Sequence, residues 1–267
     1  MIKKKVTGFN KKERYQVIRK SDTPKQETPA EDMRLNKFIA HCGICSRRQA
    51  VELVKNGRVS VNGDVIVEPW YEVKPKDRVS LDGKPIRVES QKLYILMNKP
   101  KNVITTAKDE RGRKTVLDLL DDKIQERVFP VGRLDRTTVG LLLLTNDGEL
   151  AQKLSHPSHR VKKIYHATLN KPLKEQDLEK IKAGLTLEDG FVKVDGIDYV
   201  SEAPPTEIGI EIHIGRNRIV RRIFEHLGYE VIRLDRTYYA GLTKKNLPRG
   251  FFRHLTEREV IMLKHFT

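Results

Sequence analysis

Cysteine is almost absent from this chain of 267 residues, which has only Cys42 and Cys45. Their Cys-x-x-Cys spacing could be half a zinc site or a redox pair, but there is no second cysteine pair to complete a metal tetrahedron. Cys42 also continues the apolar helical series Leu35, Phe38, Ile39, so both thiols read as small residues in or beside a core. Long apolar runs are missing too. The longest, Val139 to Leu144, contains Gly140 and is far shorter than the roughly 20 residues a membrane span requires, so it reads as a buried strand. The opening Met1-Ile2-Lys3-Lys4-Lys5 is followed by polar residues where a secretory signal has an apolar stretch, so a cytoplasmic location is expected. Acidic residues are in deficit, with 36 Asp and Glu against 52 Lys and Arg and a formal net charge of +16. Neutralising phosphates releases condensed counterions, so a polyanion, above all a nucleic acid, is the expected partner.

The length favours a small module joined to a larger, core-bearing domain. Residues 1–32 carry lysine clusters at Lys3 to Lys5 and Lys11 to Lys12 and a polar run from Ser21 to Pro29. Such a segment cannot bury enough apolar surface to fold alone and is expected to be a basic, disordered arm. A compact unit is expected over 33–90. Leu35, Phe38 and Ile39 recur at helical spacing, Ser46-Arg47-Arg48-Gln49 has the form of a capping box, and Val59 and Val61 alternate into an Asn62-Gly63 hairpin turn. The second helix opens on Arg47 and Arg48, with Lys37, Lys55 and Arg58 nearby in sequence.

The string running from Arg34-Leu35-Asn36-Lys37-Phe38 through Ser46-Arg47-Arg48-Gln49-Ala50 to Gly57-Arg58-Val59-Ser60-Val61-Asn62-Gly63 resembles the alpha-L RNA-binding domain first described in a small-subunit ribosomal protein. That resemblance implies that Arg34, Lys37, Arg47, Arg48, Lys55 and Arg58 face RNA, reading backbone shape more than base identity.

After the Asp82-Gly83 turn, a linker around Ser90 leads into a larger domain, 91–267. Strand signals dominate it: Tyr94 to Met97, Tyr165 to Leu169, and the period-two stripe Ile208, Ile210, Ile212, Ile214. Helical stretches intervene near Val116 to Leu120, Glu149 to Leu154, Leu178 to Ala183 and Val220 to Leu227, and Asp189-Gly190 marks a hairpin. This mixture predicts an α+β domain on an antiparallel or mixed sheet.

The most informative segment, Phe129 to Gly148, places one carboxylate, Asp135, on a loop between arginines and just before the buried strand. A carboxylate fixed at the end of a rigid strand is well placed for chemistry. The segment Gly132-Arg133-Leu134-Asp135-Arg136-Thr137-Thr138-Val139-Gly140-Leu141-Leu142-Leu143-Leu144-Thr145-Asn146-Asp147-Gly148 resembles the signature of the RsuA/RluB-type ribosomal RNA pseudouridine synthases. Other pieces of that family's pattern follow in order: Asn98-Lys99-Pro100 with Thr105, Lys163-Ile164-Tyr165, and Gly215-Arg216-Asn217-Arg218 followed by Val220-Arg221-Arg222.

The resemblance implies that Asp135 is the nucleophile or base acting on the target uridine, whose uracil is detached, rotated and rejoined through carbon 5. It implies Arg221 as the guanidinium paired with Asp135, keeping the carboxylate ionised beside a dry pocket. Tyr165 would stack on the flipped uracil, Leu234, Arg133 and Lys99 would belong to the substrate pocket, and Arg216, Asn217, Arg218 and Arg222 would contact RNA. No metal or cofactor is implied. Three positions depart from the pattern: Asn102 replaces a usual glycine, and Ile214 and Ile219 replace polar residues.

The partner implied is structured ribosomal RNA within a pre-ribosomal particle, bound by a monomer. Large-subunit RNA is favoured by the likeness of Leu187-Glu188-Asp189-Gly190 and Leu247-Pro248-Arg249-Gly250 to the RluB-like branch, with small-subunit RNA or transfer RNA as alternatives. Two rival functions are a non-catalytic ribosome-assembly factor and a metal-dependent nuclease using Asp147 and Glu149. Arg133-Leu134-Asp135-Arg136-Thr137 also recurs identically as Arg233-Leu234-Asp235-Arg236-Thr237. Only the first copy precedes the apolar strand, so Asp135 is expected to react and Asp235 to be dispensable for chemistry.

Overall fold

The computed structural model describes residues 33–107, 109–120 and 124–265; the N-terminal arm expected over 1–32 lies outside them. The first unit runs β1 (Met33–Arg34), α1 (Leu35–His41), α2 (Arg47–Lys55), β2 (Val59–Val61), β3 (Asp64–Val65), β4 (Glu72–Val73), β5 (Val79–Leu81) and β6 (Lys84–Pro85). Ser46 starts α2 with the expected capping box, its Oγ accepting from Gln49 N and its own N donating to Gln49 Oε1. Asn62-Gly63 and Asp82-Gly83 each place two successive residues at positive φ, the geometry that matches the twist of a two-residue hairpin. The strands pair in the order β3-β2-β5-β6, with β1 on β4. Leu35, Phe38, Ile39, Ala50, Val54 and Val59 close the core, and Cys42 and Cys45 pack against it. Segment 86–89 stays attached to this unit, Glu89 N donating to His41 O at 2.9 Å.

The second unit contains β7 (Tyr94–Lys99), β8 (Phe129–Pro130), β9 (Val139–Thr145), α3 (Gly148–Ser155), β10 (Lys163–Leu169), α4 (Glu175–Ala183), β11 (Leu185–Leu187), β12 (Gly190–Val192), β13 (Gly196–Tyr199), β14 (Glu207–Ile212), α5 (Ile219–His226), β15 (Val231–Tyr239), β16 (Leu242–Thr243), β17 (Phe252–His254) and α6 (Glu257–Lys264). Its main sheet has the order β13-β14-β10-β15-β9-β7-β17, with β16 on β15 and β8 on β9. Only the β15–β9 pairing is parallel among the described strands, so the α+β fold is built on a mixed sheet. Helices α4 and α5 cover one face and α3 and α6 the other. That explains the uninterrupted apolar run of β9, which is buried at every position because neither face meets water.

Two expectations change in extent. The helix read near Val116 to Leu120 is a single 3-10 turn, Leu117–Leu119, because Thr115 and Asp118 satisfy one another's backbone N–H and Leu120 turns extended. The isoleucine stripe leaves the sheet after Ile212, and Ile214 packs half-buried against the core. Gly140 is required at the parallel junction. Its φ is +105°, and a Cβ there would collide with the carbonyl of Arg236.

Candidate active site

The loop between β8 and β9 is fixed from several sides. Thr105 Oγ1 donates to Leu134 O at 2.8 Å and accepts from Leu134 N, and Asn102 N donates to Arg136 O at 2.9 Å. Asn102 has φ +67°, which explains how asparagine serves where the family has glycine. Lys99 is fully buried, and its ammonium donates to the carbonyls of Thr138 at 2.8 Å and of Asp135 and Pro100 at 3.1 Å. Burial pushes its pKa down to about 8, with the nearby Asp135 charge opposing. This corrects the expectation of Lys99 in the substrate pocket: its donors are spent on the underside of the loop, which it holds in shape.

Asp135 opens onto a cleft of about 180 Å³ whose walls include Leu134, Thr138, Tyr165, Ile219 and Leu234. Tyr165 lies on β10 between Ile210 of β14 and Arg236 of β15. It is buried, as is Leu234, so two of the expected pocket residues face Asp135's cleft together. Arg133 is at the exposed rim.

The guanidinium nearest Asp135 is not the expected one. Arg218 Nη1 stands 4.0 Å from Asp135 Oδ2, while Arg221 makes no ion pair with it. Arg221 is buried one turn into α5, where Nη1 donates to Val231 O and Nη2 to Thr137 Oγ1 at 3.3 Å. Its position in the helix commits it to the start of β15 and to the loop two residues beyond Asp135. Burial and then the charge of Arg218 lower its pKa, while Asp135 acts in the opposite sense. Arg218 is presented because it caps α5 in the left-handed region, φ +45°, and its other nitrogen reaches Glu225 at 3.2 Å.

The remaining basic residues divide by partner. Arg222 forms a two-point pair with Asp189 at 2.6 and 2.9 Å and holds that carboxyl down to about 2, while Arg216 donates to the carbonyls of Gly190 and Phe191. Both therefore brace the β11–β12 hairpin beside the cleft, a use that differs from the expected RNA contact; Asn217 is exposed. In the first unit Arg34, Arg47, Arg48 and Lys55 are exposed, Arg58 is paired with Asp82, and Lys37 reaches Glu149 of α3 at 3.3 Å.

The nuclease alternative finds no support here. Asp147 caps α3 and accepts from the Tyr94 hydroxyl at 2.8 Å, and no cluster of three metal-ligating side chains occurs among the described residues. Burial raises the Cys42 thiol to about 12, which disfavours a thiolate.

Sequence reasoning gave no site role to several cleft residues, among them Lys163, His213 and Arg236. The first was visible only as a neighbour of Tyr165 and the last only as part of the second pentapeptide. Nothing local marked His213, which Asp195 holds at 2.7 Å. Asp235 of that second copy is buried on β15 and accepts from Lys244 at 2.8 Å and Arg249 at 2.6 Å. Burial alone would raise its pKa, but these two cations bring it below the usual carboxylate value.

Comparison with known proteins identifies the family. Residues 93–226 match the RNA pseudouridylate synthase family and residues 33–79 the S4 domain. The chain is 43% identical to the ribosomal large subunit pseudouridine synthase B of Bacillus subtilis over 86% of its own length and 95% of the relative's. It is 41% identical to an uncharacterized RNA pseudouridine synthase of Aquifex aeolicus, covering 87% and 94% of the two chains. A crystal structure of a pseudouridylate synthase superposes with a TM-score of 0.62 at 26% identity, over 86% of this chain and 99% of that one. With an S4 domain in front and a mixed-sheet domain that carries Asp135 at its cleft, this chain belongs to the RNA pseudouridylate synthase family.

Proposed function

We propose that this enzyme converts a uridine of large-subunit ribosomal RNA to pseudouridine, with Asp135 as the catalytic carboxylate. The observation that carries the assignment is the placement of Asp135 at one wall of a cleft whose other walls are Tyr165 and Leu234, with Arg218 at 4.0 Å. Asp135 attacks or deprotonates the ribose, the uracil leaves and turns, and carbon 5 bonds to the sugar. Tyr165 stacks on the extruded base and Leu234 excludes water. Extrusion costs a few kcal/mol of unstacking, which contacts to the pocket and backbone must offset. Arg221 is a positioning residue here, holding Thr137 and through it the loop of Asp135.

The large-subunit substrate is supported by the name of the Bacillus subtilis relative and the extent of its identity. The first unit, 33–90, docks structured RNA of a pre-ribosomal particle through Arg34, Arg47, Arg48 and Lys55, while 91–267 performs the reaction. The chain is proposed to act as a monomer. No described helix is long and apolar enough to cross a membrane, and a cytoplasmic site of action fits the substrate.

The test is to incubate the purified chain with transcripts of large-subunit RNA, small-subunit RNA and transfer RNA, and to map pseudouridine in each. Pseudouridine at one position of the large-subunit transcript is the expected result. Formation only in another RNA would reassign the substrate, and a folded chain that modifies none would favour an assembly factor.

A further inference from the structure

Arg236, the fourth residue of the second Arg-Leu-Asp-Arg-Thr copy, lines the cleft yet pairs with no carboxylate among the described residues. It is 3% exposed. Its Nε donates to Leu141 O at 2.8 Å, its guanidinium carbon sits 4.5 Å from the centre of the Tyr239 ring, and its buried Nη2 has no partner. In the β10–β15 ladder it stands directly opposite Tyr165, the side chain assigned to the base. A second cation, Lys163, lines the same cleft and donates only to the carbonyls of Val161 at 3.0 Å and His213 at 2.6 Å. Burial, followed by the charge of Arg236, lowers the Lys163 pKa to about 8. The charge of Asp195 opposes that shift, but neither cation forms an ion pair with a carboxylate among the described residues, and two unpaired cations in a sheltered wall are costly to keep. Such an arrangement is useful when negative charge develops beside it during turnover.

The reaction supplies that charge. When the bond from the ribose to N1 breaks, its electron pair leaves with the uracil and spreads over N1 and the two carbonyl oxygens. Asp135 is engaged with the ribose in either role, so the departing base needs a separate group beside it. The uracil then turns, carbon 5 uses an electron pair to bond the sugar, the proton on carbon 5 is lost and N1 gains a proton, so the product is an isomer of the substrate.

We propose that Arg236, with Lys163 beside it, stabilises the detached uracil anion and so acts as a further catalytic residue of this enzyme. The inference rests on the assignment of the cleft to pseudouridine formation. It does not depend on whether Asp135 attacks or deprotonates, because the base leaves with the electron pair either way.

The test measures the single-turnover rate of glycosidic bond cleavage at saturating protein, using RNA with uridine or 5-fluorouridine at the target position. Fluorine stabilises the uracil anion and makes the base a better leaving group. Arg236→Gln is expected to slow the uridine reaction roughly a hundredfold or more. The loss on 5-fluorouridine should be roughly tenfold smaller, because the fluorinated base needs less help in the transition state. Both substrates meet the same folded fraction of the variant, so the ratio of the two losses is insensitive to damaged folding. Arg236→Lys should recover part of the uridine rate by restoring charge, and Lys163→Met should show a weaker form of the same substrate dependence. Equal losses on both bases would overturn the proposal. So would an intact rate accompanied by weakened RNA binding, which is the signature of a contact to phosphate. An active Asp135→Asn enzyme in this assay would strike the underlying assignment instead.

Discussion

Residues 133–137 and 233–237 spell the same pentapeptide, and the fold puts them to opposite uses. In the first copy the chain bends: Gly132 has φ +71°, Thr105 and Lys99 tie down the carbonyls, and the carboxylate of Asp135 stays partly exposed at the cleft. In the second copy the chain is a central strand. Alternation along β15 sends Leu234 and Arg236 toward the cleft and Asp235 the other way, into a cluster with Lys244 and Arg249. The strands meet in parallel, with Asp235 opposite Val139 and Arg236 opposite Gly140. An aspartate between two arginines thus opens onto a cleft or is buried in an ion-pair cluster according to whether its backbone is a loop or a strand.

The sharpest way to break the comparison is to neutralise each aspartate in turn. Asp135→Asn should lower single-turnover pseudouridine formation by roughly 10³-fold or more while RNA binding persists. Asp235→Asn should keep the activity of each folded molecule but leave Lys244 and Arg249 without their anion. Chemical denaturation should show a loss of about 2 kcal/mol, below the usual cost of a broken buried pair because both cations are partly solvated. A dead but well-folded Asp235→Asn enzyme beside an active Asp135→Asn enzyme would invert the roles.

Arg221 tests how far the first copy depends on its support. Arg221→Lys keeps the charge but cannot reach Thr137 and Val231 with two nitrogens, so turnover should fall roughly ten- to a hundredfold through misplacement of the loop. RNA affinity, measured by filter binding, should not follow. An unchanged turnover would remove Arg221 from the positioning role.

Acid should separate the copies more gently. The folded-state pKa of Asp235 lies below the ordinary 3.8, so its ionised form adds stability above about pH 4 that is lost as pH falls through the lowered value. The stability difference between wild type and Asp235→Asn is therefore expected to be full near neutrality and to shrink below pH 4. A difference that stays constant down to pH 2 would show that the cluster does not depend on the ionised carboxylate.

The smallest effect concerns neither copy but the first unit. Replacing both Arg47 and Arg48 by Gln should flatten the dependence of RNA affinity on salt by roughly one to two units of logarithmic slope. An identical slope would mean that α2 does not meet phosphate.

Much of this was legible along the chain. The capping box at Ser46, the two hairpin turns, the isoleucine stripe of β14 and the buried run of β9 all appear where periodicity and turn chemistry place them. These signals depend on a few neighbouring residues, and the long signature around Asp135 belongs with them. Where local side-chain bonds competed, as at Thr115 and Asp118, the helical pattern was a poor guide.

Partnerships across the chain were a different matter. Sequence alone determined the order of the two units, most of their strands and helices, and the loop that bears Asp135. Only the tertiary structure decided that Arg218 rather than Arg221 approaches that carboxylate, that Lys99 lies beneath the loop, and that Arg236 enters the cleft while Asp235 turns away. Period and turn type are set within a few residues. Which charges meet is set by strand order, which brings β9 beside β15 across nearly a hundred residues and fixes the face to which each side chain points.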